Sequence, residues 1–233
     1  MNCTDSTNNY TAKLFNERKV EFGQVILADE QTQGRGQREA LWVSEVGKNL
    51  LFSVYITLDN LSVTNQLTLM QYTAVSVCST LNDLGIKAQI KWPNDIVVQG
   101  VKIGGILIEN QLVGSKIVSS IIGVGLNVNQ LKFENLNATS LREQLGIEQN
   151  RIDVLERLLN KLNEYFSCIE LGRNILNNMY LKNLYQLNLI STYYCLQLGE
   201  FQGEITGVDP FGKLRVNYNN NELLFEVKEI KFL

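Results

Sequence analysis

The hydrophobic positions of the chain follow two different periods. The run NLLFSVYIT at 49 to 57 is rich in β-branched and aromatic residues and predicts a strand. From Leu67 to Leu84 the apolar residues recur at spacings of three and four, and Gly85 follows them, which predicts an amphipathic helix. The segment VLERLLNKLNEYFSCI repeats the helical spacing, and Ser140 with Glu143 has the spacing of a capping box before a further helix.

Four strand-like runs follow the first of these helices at close intervals. Turn signals separate the runs AQIKW, DIVV, VKIGGILIE and KIVSSIIGVGLNVN. Short connections imply antiparallel neighbours, so these runs predict a mixed or antiparallel sheet rather than repeated βαβ units.

The last part of the chain changes to short strands after about residue 189. The turn between two of them, Asp209-Pro210-Phe211-Gly212, has the residues of a type I turn. We therefore expect an α+β fold in two domains. Residues 1–188 would form a mixed or antiparallel sheet with helices on one side, and residues 189–233 a small β barrel.

Composition excludes several classes of function. With 233 residues, 45% of them hydrophobic and 19% charged, the chain is expected to be a soluble globular protein. Its net charge of −3 provides no basic field for nucleic acid or an anionic membrane, so local charges must meet any bound anion. Neither a signal-like N-terminus nor a long apolar run is present, and we expect a cytoplasmic protein.

The residue types that the chain lacks narrow the chemistry further. It has no histidine, which excludes Ser-His-Asp triads and H-E-x-x-H zinc sites. Its four cysteines are widely spaced and suggest neither a disulfide framework nor a zinc site. Chemistry driven by positioning and electrostatics, such as phosphoryl or nucleotidyl transfer, fits this composition best.

The loop QTQGRGQREALW at 31 to 42 suits an anionic ligand. Gly34 and Gly36 allow close approach of the backbone, and Arg35 and Arg38 offer forked cationic donors for carboxylate or phosphate oxygens. Trp42 offers a large π face for stacking. The alternative is a surface turn with solvated arginines and a core tryptophan.

A second stretch, KWPNDIVVQGVKIGGILIE at 91 to 109, adds polar groups to a strand pair. Asn94 and Asp95 lie in a predicted turn from which their side chains reach over the sheet, and Lys102 precedes the paired glycines Gly104 and Gly105. Glycines inside a strand suggest that a ligand approaches the backbone. The alternatives are plain turn chemistry and a surface lysine.

Two further segments carry the same kind of signal. Gly123, Gly125 and Asn127 open a strand face and end it with an amide, although strand glycines often serve packing alone. Ser6 or Thr7 is expected to cap a short helix near the N-terminus.

These motifs together resemble the biotin protein ligases. The resemblance rests on DSTN at 5 to 8, QTQGRGQR, KWPND, KIGGIL, GVGLNVN and ATSL, whose order and spacing match the family across nearly the whole chain. It implies a class II synthetase-like catalytic domain with an SH3-like C-terminal barrel. Because DSTN begins at residue 5, we expect the catalytic-core form without an N-terminal DNA-binding domain.

The resemblance also implies a reaction and its partners. Biotin and ATP would form biotinyl-5′-AMP with Mg²⁺ held mainly by phosphates, and a lysine of a biotin carboxyl carrier domain would then accept biotin. Neither DNA nor a membrane is an expected partner. An edge strand of the main sheet is a candidate contact for the carrier or for a second copy in a homodimer.

Site residues follow from the same resemblance. Arg35 and Lys102 would be the catalytic cations and would converge on the reacting oxygens. The residues expected to bind biotin are Ser6, Thr7, Asn8, Gln31, Gly34, Arg35, Gly36, Gln37, Lys102, Gly105 and Gly125. Those expected to bind ATP or the adenylate are Arg35, Arg38, Trp42, Asn94, Asp95, Lys102 and Asn127.

One departure and two rivals accompany this interpretation. The loop has Glu39 and Ala40 where the family commonly has glycine, which is expected to stiffen it or alter its closure. A lipoate protein ligase would share the fold and would also activate its substrate as an adenylate, although the motifs KWPND and DSTN argue against it. A non-catalytic protein that senses biotin or its adenylate is the second rival.

Overall fold

The main sheet is antiparallel and carries the glycine-containing strands at its centre. The computed structural model describes residues 1–37, 40–134 and 136–233, apart from the side chain of Asn60. Within these residues, six strands form the sheet in the order β2-β4-β8-β7-β6-β5. They are β2 (Val25–Ala28), β4 (Leu50–Ser62), β5 (Ala88–Lys91), β6 (Asp95–Val98), β7 (Val101–Val113) and β8 (Lys116–Leu126). Two short strands, β1 (Cys3–Thr4) and β3 (Glu30–Gln31), pair in parallel beside it.

Among the described α-helices, two begin at a side-chain N-cap, at Ser140 and Asn150, whereas Ser6 holds the N-cap position of the first helix without a side-chain capping bond. The helices are α1 (Thr7–Asn16), α2 (Leu67–Asp83), α3 (Leu141–Leu145), α4 (Arg151–Tyr165), α5 (Cys168–Leu171) and α6 (Arg173–Lys182), with a 3-10 turn at Val63–Asn65. Gly85, with φ of 84°, follows α2 in the left-handed conformation. The Ser140 hydroxyl accepts from the N–H of Glu143 at 3.2 Å, as the capping box predicts, whereas the Glu143 carboxylate turns to Thr139 Oγ1 at 2.9 Å.

The two faces of the main sheet have different roles. One face of β4, with Phe52 and Val54, packs into a continuous apolar core with α2, α4 and α6. Each fully buried leucine or isoleucine of this core contributes about 1.5–3 kcal/mol relative to an exposed one. On the other face Asn8, in the first turn of α1, lies over Gly123 of β8. The ligand-binding candidates lie on this second face.

The C-terminal strands form a sheet of their own. In the described part of the chain, five strands pair antiparallel in the order β12-β11-β10-β9-β13. They are β9 (Ile190–Cys195), β10 (Gly199–Val208), β11 (Leu214–Tyr218), β12 (Asn221–Phe225) and β13 (Ile230–Phe232). The β10–β11 connection closes as the predicted turn, with the N–H of Gly212 donating to the carbonyl of Asp209 at 3.0 Å. The first strand of this sheet starts next to the predicted domain boundary, and the division into domains stays a prediction.

Most elements were predicted, but the short strand β1 and helix α6 were not. The predicted helix through VLERLLNKLNEYFSCI ends at Tyr165, and its last residues, Cys168 and Ile169, belong to the separate helix α5. The C-terminal run ELLFEVKEIKFL, in the region predicted to form short strands, divides into β12 and β13 at a turn in which Lys228 has φ of 78°. No helix among the described residues is both long and apolar enough to cross a bilayer.

Candidate functional site

One cavity over the main sheet collects most of the predicted site residues. Its walls come from the start of α1, the glycine loop, the β5–β6 turn and the central strands. The predicted residues that line it are Ser6, Thr7, Asn8, Gln31, Arg35, Gly36, Gln37, Trp42, Asn94, Asp95, Lys102, Gly105 and Gly125. Segments that lie far apart in the sequence, from Ser6 to Gly125, therefore meet at a single site.

Three predicted residues are not among those lining it. Gly34 is buried, and a side chain at this position would collide with the carbonyl oxygen of Trp42. Asn127 is also buried, and its side-chain amide donates to the carbonyl of Thr139 at 3.0 Å. Arg38, like Glu39 of the loop departure, lies outside the described residues. The binding roles of all three stay predictions.

Strand register sets the layout of the cavity floor. Asp95 of β6 is paired with Gly105 of β7, and Gly105 is paired with Gly125 of β8. Gly123 lies two residues along β8 on the same face, and Glu109 lies four residues along β7 from Gly105. The floor therefore runs from an Asp95 end, across the glycine backbone and Leu107, to a Glu109 end.

The glycines of the floor make room for Trp42. A Cβ built on Gly125 would lie 2.6 Å from the indole ring, and one built on Gly105 would lie 3.1 Å from it. The indole thus packs flat against backbone that a side chain would cover. Trp42 Nε1 is buried and has no hydrogen-bond partner among the described residues. The middle of the cavity is therefore apolar, with the indole lying on the strand backbone.

The deep end of the cavity is a buried polar cluster. Gln31 Oε1 accepts from Thr7 twice, from its N–H at 2.7 Å and from its hydroxyl at 3.0 Å. The Ser53 hydroxyl lies 2.8 Å from Thr7 Oγ1 and 2.6 Å from Asn8 Oδ1. Thr7, Asn8 and Ser53 are all buried, so these groups are held by one another rather than by water. A neutral ligand with amide-like donors and acceptors fits such a surface.

Arg35 closes this deep end from the glycine loop. Its guanidinium donates to Glu109 Oε1 at 2.9 Å and to Asn9 Oδ1 at 2.6 Å. Asn9 in turn donates to Asp5 at 2.8 Å. The hydrogen bonds that Asp5 accepts from the Asn9 side chain and from the Ser6 N–H hold the pKa of its carboxyl below the ordinary value.

The opposite end of the cavity has a lysine and a carboxylate. Lys102 Nζ lies 2.6 Å from Asp95 Oδ1 and 5.6 Å from the centroid of the Trp42 ring. Asn94 donates to the carbonyl of Ile106 at 2.7 Å, which fixes the turn beside them. This end offers a partly exposed cation to an anionic ligand.

The two predicted catalytic cations occupy different positions along the floor. The Lys102 side chain lies beside Gly105, while Arg35 is bonded to Glu109, four residues further along β7. At roughly 3.3 Å per strand residue, these levels are about 13 Å apart. Both side chains line one cavity, but each pairs with its own carboxylate. Their convergence on the same oxygens stays a prediction.

The structure adds residues that sequence reasoning missed. Ser53 was a polar residue in an otherwise apolar strand, and Glu109 ended the quoted glycine stretch, so both carried a weak signal. Val227, between β12 and β13, lines the cavity itself, and no local pattern marked it.

Among the described residues, no group of three or more aspartate, glutamate, cysteine or histidine side chains is placed to hold a metal ion.

Comparison with known proteins identifies relatives over much of the chain. Residues 1–127 match the model of the Biotin/lipoate A/B protein ligase family. The Bifunctional ligase/repressor BirA of Bacillus subtilis (strain 168) is 33% identical over 230 residues, which cover 92% of this chain and 67% of that protein. The biotin–[acetyl-CoA-carboxylase] ligase of Mycobacterium tuberculosis is 35% identical over 148 residues, covering 60% of this chain and 53% of that protein.

A solved structure agrees with the fold over its full extent. The biotin protein ligase from Aquifex aeolicus in complex with biotin and ATP superimposes with a TM-score of 0.79 at 26% identity, covering 99% of this chain and 96% of that one. By contrast, the chain spans only 49% to 67% of the length of the three BirA relatives it matches in Bacillus and Escherichia coli.

Proposed function

The chain belongs to the biotin/lipoate A/B protein ligase family of enzymes, and we propose that it is an ATP-dependent biotin protein ligase. In this proposal it forms biotinyl-5′-AMP and then transfers biotin to a lysine of a biotin carboxyl carrier domain. One observation carries the proposal. A single cavity contains a buried polar cluster, an apolar middle and a lysine. This order matches the ureido ring, the hydrocarbon chain and the carboxylate of biotin.

The ureido group would occupy the polar cluster at Thr7, Asn8 and Gln31. A cyclic urea has two N–H donors and one carbonyl acceptor, and buried partners must satisfy each of them. Gln31 Oε1 is already taken by Thr7, which leaves its amide nitrogen for the carbonyl of the ligand. A ligand without these groups would leave buried polar atoms of the site unpaired. Such a site is expected to discriminate strongly against ligands that lack the urea group.

The ring and the valeryl chain would lie over Gly105 and Gly125. The Trp42 indole packs against this backbone, so it must move aside to admit the ligand and would then pack beside it. Packing of methylene groups there contributes about 0.8 kcal/mol per CH₂ removed from water. The outer part of the indole is the candidate surface for adenine, with Asn94 beside it.

Lys102 would act on the reacting oxygens. A carboxylate oxygen of biotin attacks the α-phosphorus of ATP, the bond from that phosphorus to the bridging oxygen breaks, and pyrophosphate leaves. Magnesium bound to the phosphates supplies charge neutralisation. Lys102 is paired with Asp95 before the ligand arrives, which keeps the ammonium group near the carboxylate end. There it stabilises the charge that develops on phosphate oxygens.

Arg35 would close the loop over the bound ligand. Its side chain holds the loop to α1 through Asn9 and to β7 through Glu109. A direct contact of its guanidinium with the α-phosphate requires the exchange of Glu109 for a ligand oxygen. Closure excludes water and so protects the mixed anhydride from hydrolysis.

In the second step the carrier lysine attacks the acyl carbon of biotinyl-5′-AMP. The new bond is an amide, the bond between the acyl carbon and the phosphate oxygen breaks, and AMP leaves with release of one amine proton. The cavity supplies no histidine as a base. The good leaving group lets this step proceed with a positioned amine.

Mass spectrometry of the carrier tests the proposal. The protein is incubated with ATP, magnesium, biotin and a biotin carboxyl carrier domain, and a biotin-sized mass gain on one lysine is expected. Parallel reactions replace biotin with lipoate or omit ATP, and neither should modify the carrier. A lipoate-sized gain would instead identify a lipoate ligase. Biotin binding without pyrophosphate release would identify a non-catalytic sensor.

A further inference from the structure

Glu109 stands where three segments of the cavity wall meet. From β7 its Oε2 accepts from Asn8 Nδ2 at 2.7 Å, and its Oε1 accepts from Arg35 at 2.9 Å. Asn8 belongs to the first turn of α1 and Arg35 to the glycine loop. One carboxylate therefore ties a helix and a loop to the central strands.

The carboxylate determines how the Asn8 amide is oriented. Asn8 Nδ2 also donates to the carbonyl of Leu107 at 3.4 Å, and Oδ1 accepts from the Ser53 hydroxyl at 2.6 Å. A flipped amide would place its oxygen against two acceptors, the carbonyl and the carboxylate. Among the described residues, this arrangement leaves Asn8 with one acceptor position, which suits an N–H of a cyclic urea.

Gly123 fixes the position of Asn8 from below. A side chain on Gly123 would collide with Asn8 Oδ1, so the amide lies directly on the strand backbone. Asn8 is 3% exposed and cannot move toward the strand or into water without losing these contacts. Of the two acceptors for Asn8 Nδ2, Glu109 makes the shorter hydrogen bond, at 2.7 Å against 3.4 Å for the Leu107 carbonyl.

Arg35 completes the assembly. It neutralises Glu109 and reaches Asn9 Oδ1, so the loop and the helix are held in one relation. The Arg35 and Glu109 side chains are 44% and 32% exposed. Solvent therefore screens the Coulomb attraction of the pair, and its main effect is to fix the positions of the loop and the helix.

We propose that Glu109 is a positioning residue for biotin, which acts by fixing Asn8 and Arg35 at the ureido end of the cavity. This inference rests on the proposed function. A purely electrostatic role is the opposite case, in which Glu109 repels the biotin carboxylate. Glu109 lies about 13 Å along β7 from Gly105, beyond the screening length of about 8 Å at physiological ionic strength.

Glu109→Gln tests the inference with little change of shape. Glutamine has one oxygen acceptor and one NH₂ donor, whereas Asn8 and Arg35 both present donors. One of the two contacts is lost. We expect the KM for biotin in adenylate formation to rise about 10-fold or more, with the KM for ATP and kcat at saturating biotin within about threefold of wild type.

Glu109→Asp separates geometry from charge. The shorter side chain keeps the negative charge but withdraws both oxygens, so it cannot hold Asn8 and Arg35 together at their present distances. We expect its biotin KM to rise about 10-fold or more, as in Glu109→Gln. Glu222→Gln, which alters an ion-paired carboxylate on the C-terminal sheet, is the matched control and should leave every constant unchanged.

The outcomes separate this inference from the proposed function. If the wild-type protein forms no biotinyl-5′-AMP, the proposed function fails before any variant is measured. If it does, an unchanged or lower biotin KM in Glu109→Gln overturns the positioning role alone. Should that variant not fold, Glu109→Asp decides: a biotin KM raised about 10-fold supports the role, and a KM near wild type overturns it.

Discussion

At the scale of single residues, the chemistry depends on which partner holds each charged side chain. Lys102 and Arg35 both line the cavity, but Asp95 holds the first and Glu109 the second. In the proposed function, Lys102 would act at the carboxylate end of biotin and Arg35 at the ureido end. The two roles predict different effects of substitution on the kinetic constants.

Lys102→Ala should abolish adenylate formation without unfolding the protein. The side chain is partly exposed, so its pair with Asp95 contributes at most about 1 kcal/mol to stability. Loss of charge stabilisation at the phosphate should cost about 10²–10³-fold in rate. Biotin-dependent pyrophosphate release measures the effect, and the exposed Lys116→Ala is the control. Normal release by Lys102→Ala would refute the catalytic role.

Arg35→Gly should release biotinyl-5′-AMP more readily. The variant loses the bonds to Asn9 and Glu109, and glycine increases the freedom of the loop. Passage through a desalting column should separate the intermediate from the protein, whereas wild type retains it. Arg18→Gly is a suitable control, since Arg18 is exposed and has φ of 56°, which glycine adopts easily. Equal retention of biotinyl-5′-AMP by Arg35→Gly and Arg18→Gly would count against loop closure by Arg35.

At the scale of secondary-structure elements, strand register makes the cavity floor. The pairing of Gly105 with Gly125 places two residues without side chains next to each other, although they lie twenty positions apart in sequence. The Trp42 indole fills the space that this pairing creates. The floor is thus a property of two strands and a loop together.

Gly125→Ala should displace Trp42 and impair biotin binding. The added methyl would lie 2.6 Å from the ring, closer than packed carbon atoms approach, so the indole must move. We expect a red-shifted tryptophan emission and a biotin KM raised at least about tenfold. In the control Gly203→Ala the methyl would lie 2.7 Å from Val216 of the C-terminal sheet instead, which should lower stability but leave the emission unchanged. Unaltered emission in Gly125→Ala would contradict the proposed packing.

At the scale of the whole molecule, one hydrogen bond joins the two sheets next to the site. Trp92, which precedes the β5–β6 turn, donates from Nε1 to the carbonyl of Gly212 in the β10–β11 turn at 2.8 Å. Val227 from the C-terminal segment lines the cavity. The C-terminal sheet therefore contributes to the shape of the site.

Trp92→Phe should loosen this connection. The variant keeps an aromatic ring in the core but removes the hydrogen bond to Gly212. The free energy of unfolding should fall by about 1 kcal/mol. For a chain of this size that corresponds to a fall in Tm of about 2–4 °C. The KM for biotin and for ATP should rise together as Val227 shifts. Phe211→Ala changes the same turn at an exposed side chain and is the control. Equal melting temperatures for Trp92→Phe and wild type would exclude a stabilising link.

Much of the fold and many of the residues that line the site could be predicted from the sequence, because the signals were local. Helix α2 ends before Gly85, the Ser140 cap forms, and the Asp209 turn closes, since each depends on residues a few positions apart. The motifs also named most residues that line the cavity. Helix α6 escaped prediction because tertiary packing rather than a clear apolar period supports it.

Only the tertiary structure decided how those residues are connected. Sequence determined that glycines, cations and amides were present and where the strands would run. Register then placed Glu109 beside Asn8 and Arg35, and Ser53 over the same cluster, while Asn127 was turned toward Thr139. The physical reason is that hydrogen bonds between distant segments depend on strand pairing and side-chain direction across the whole sheet, which no local spacing specifies.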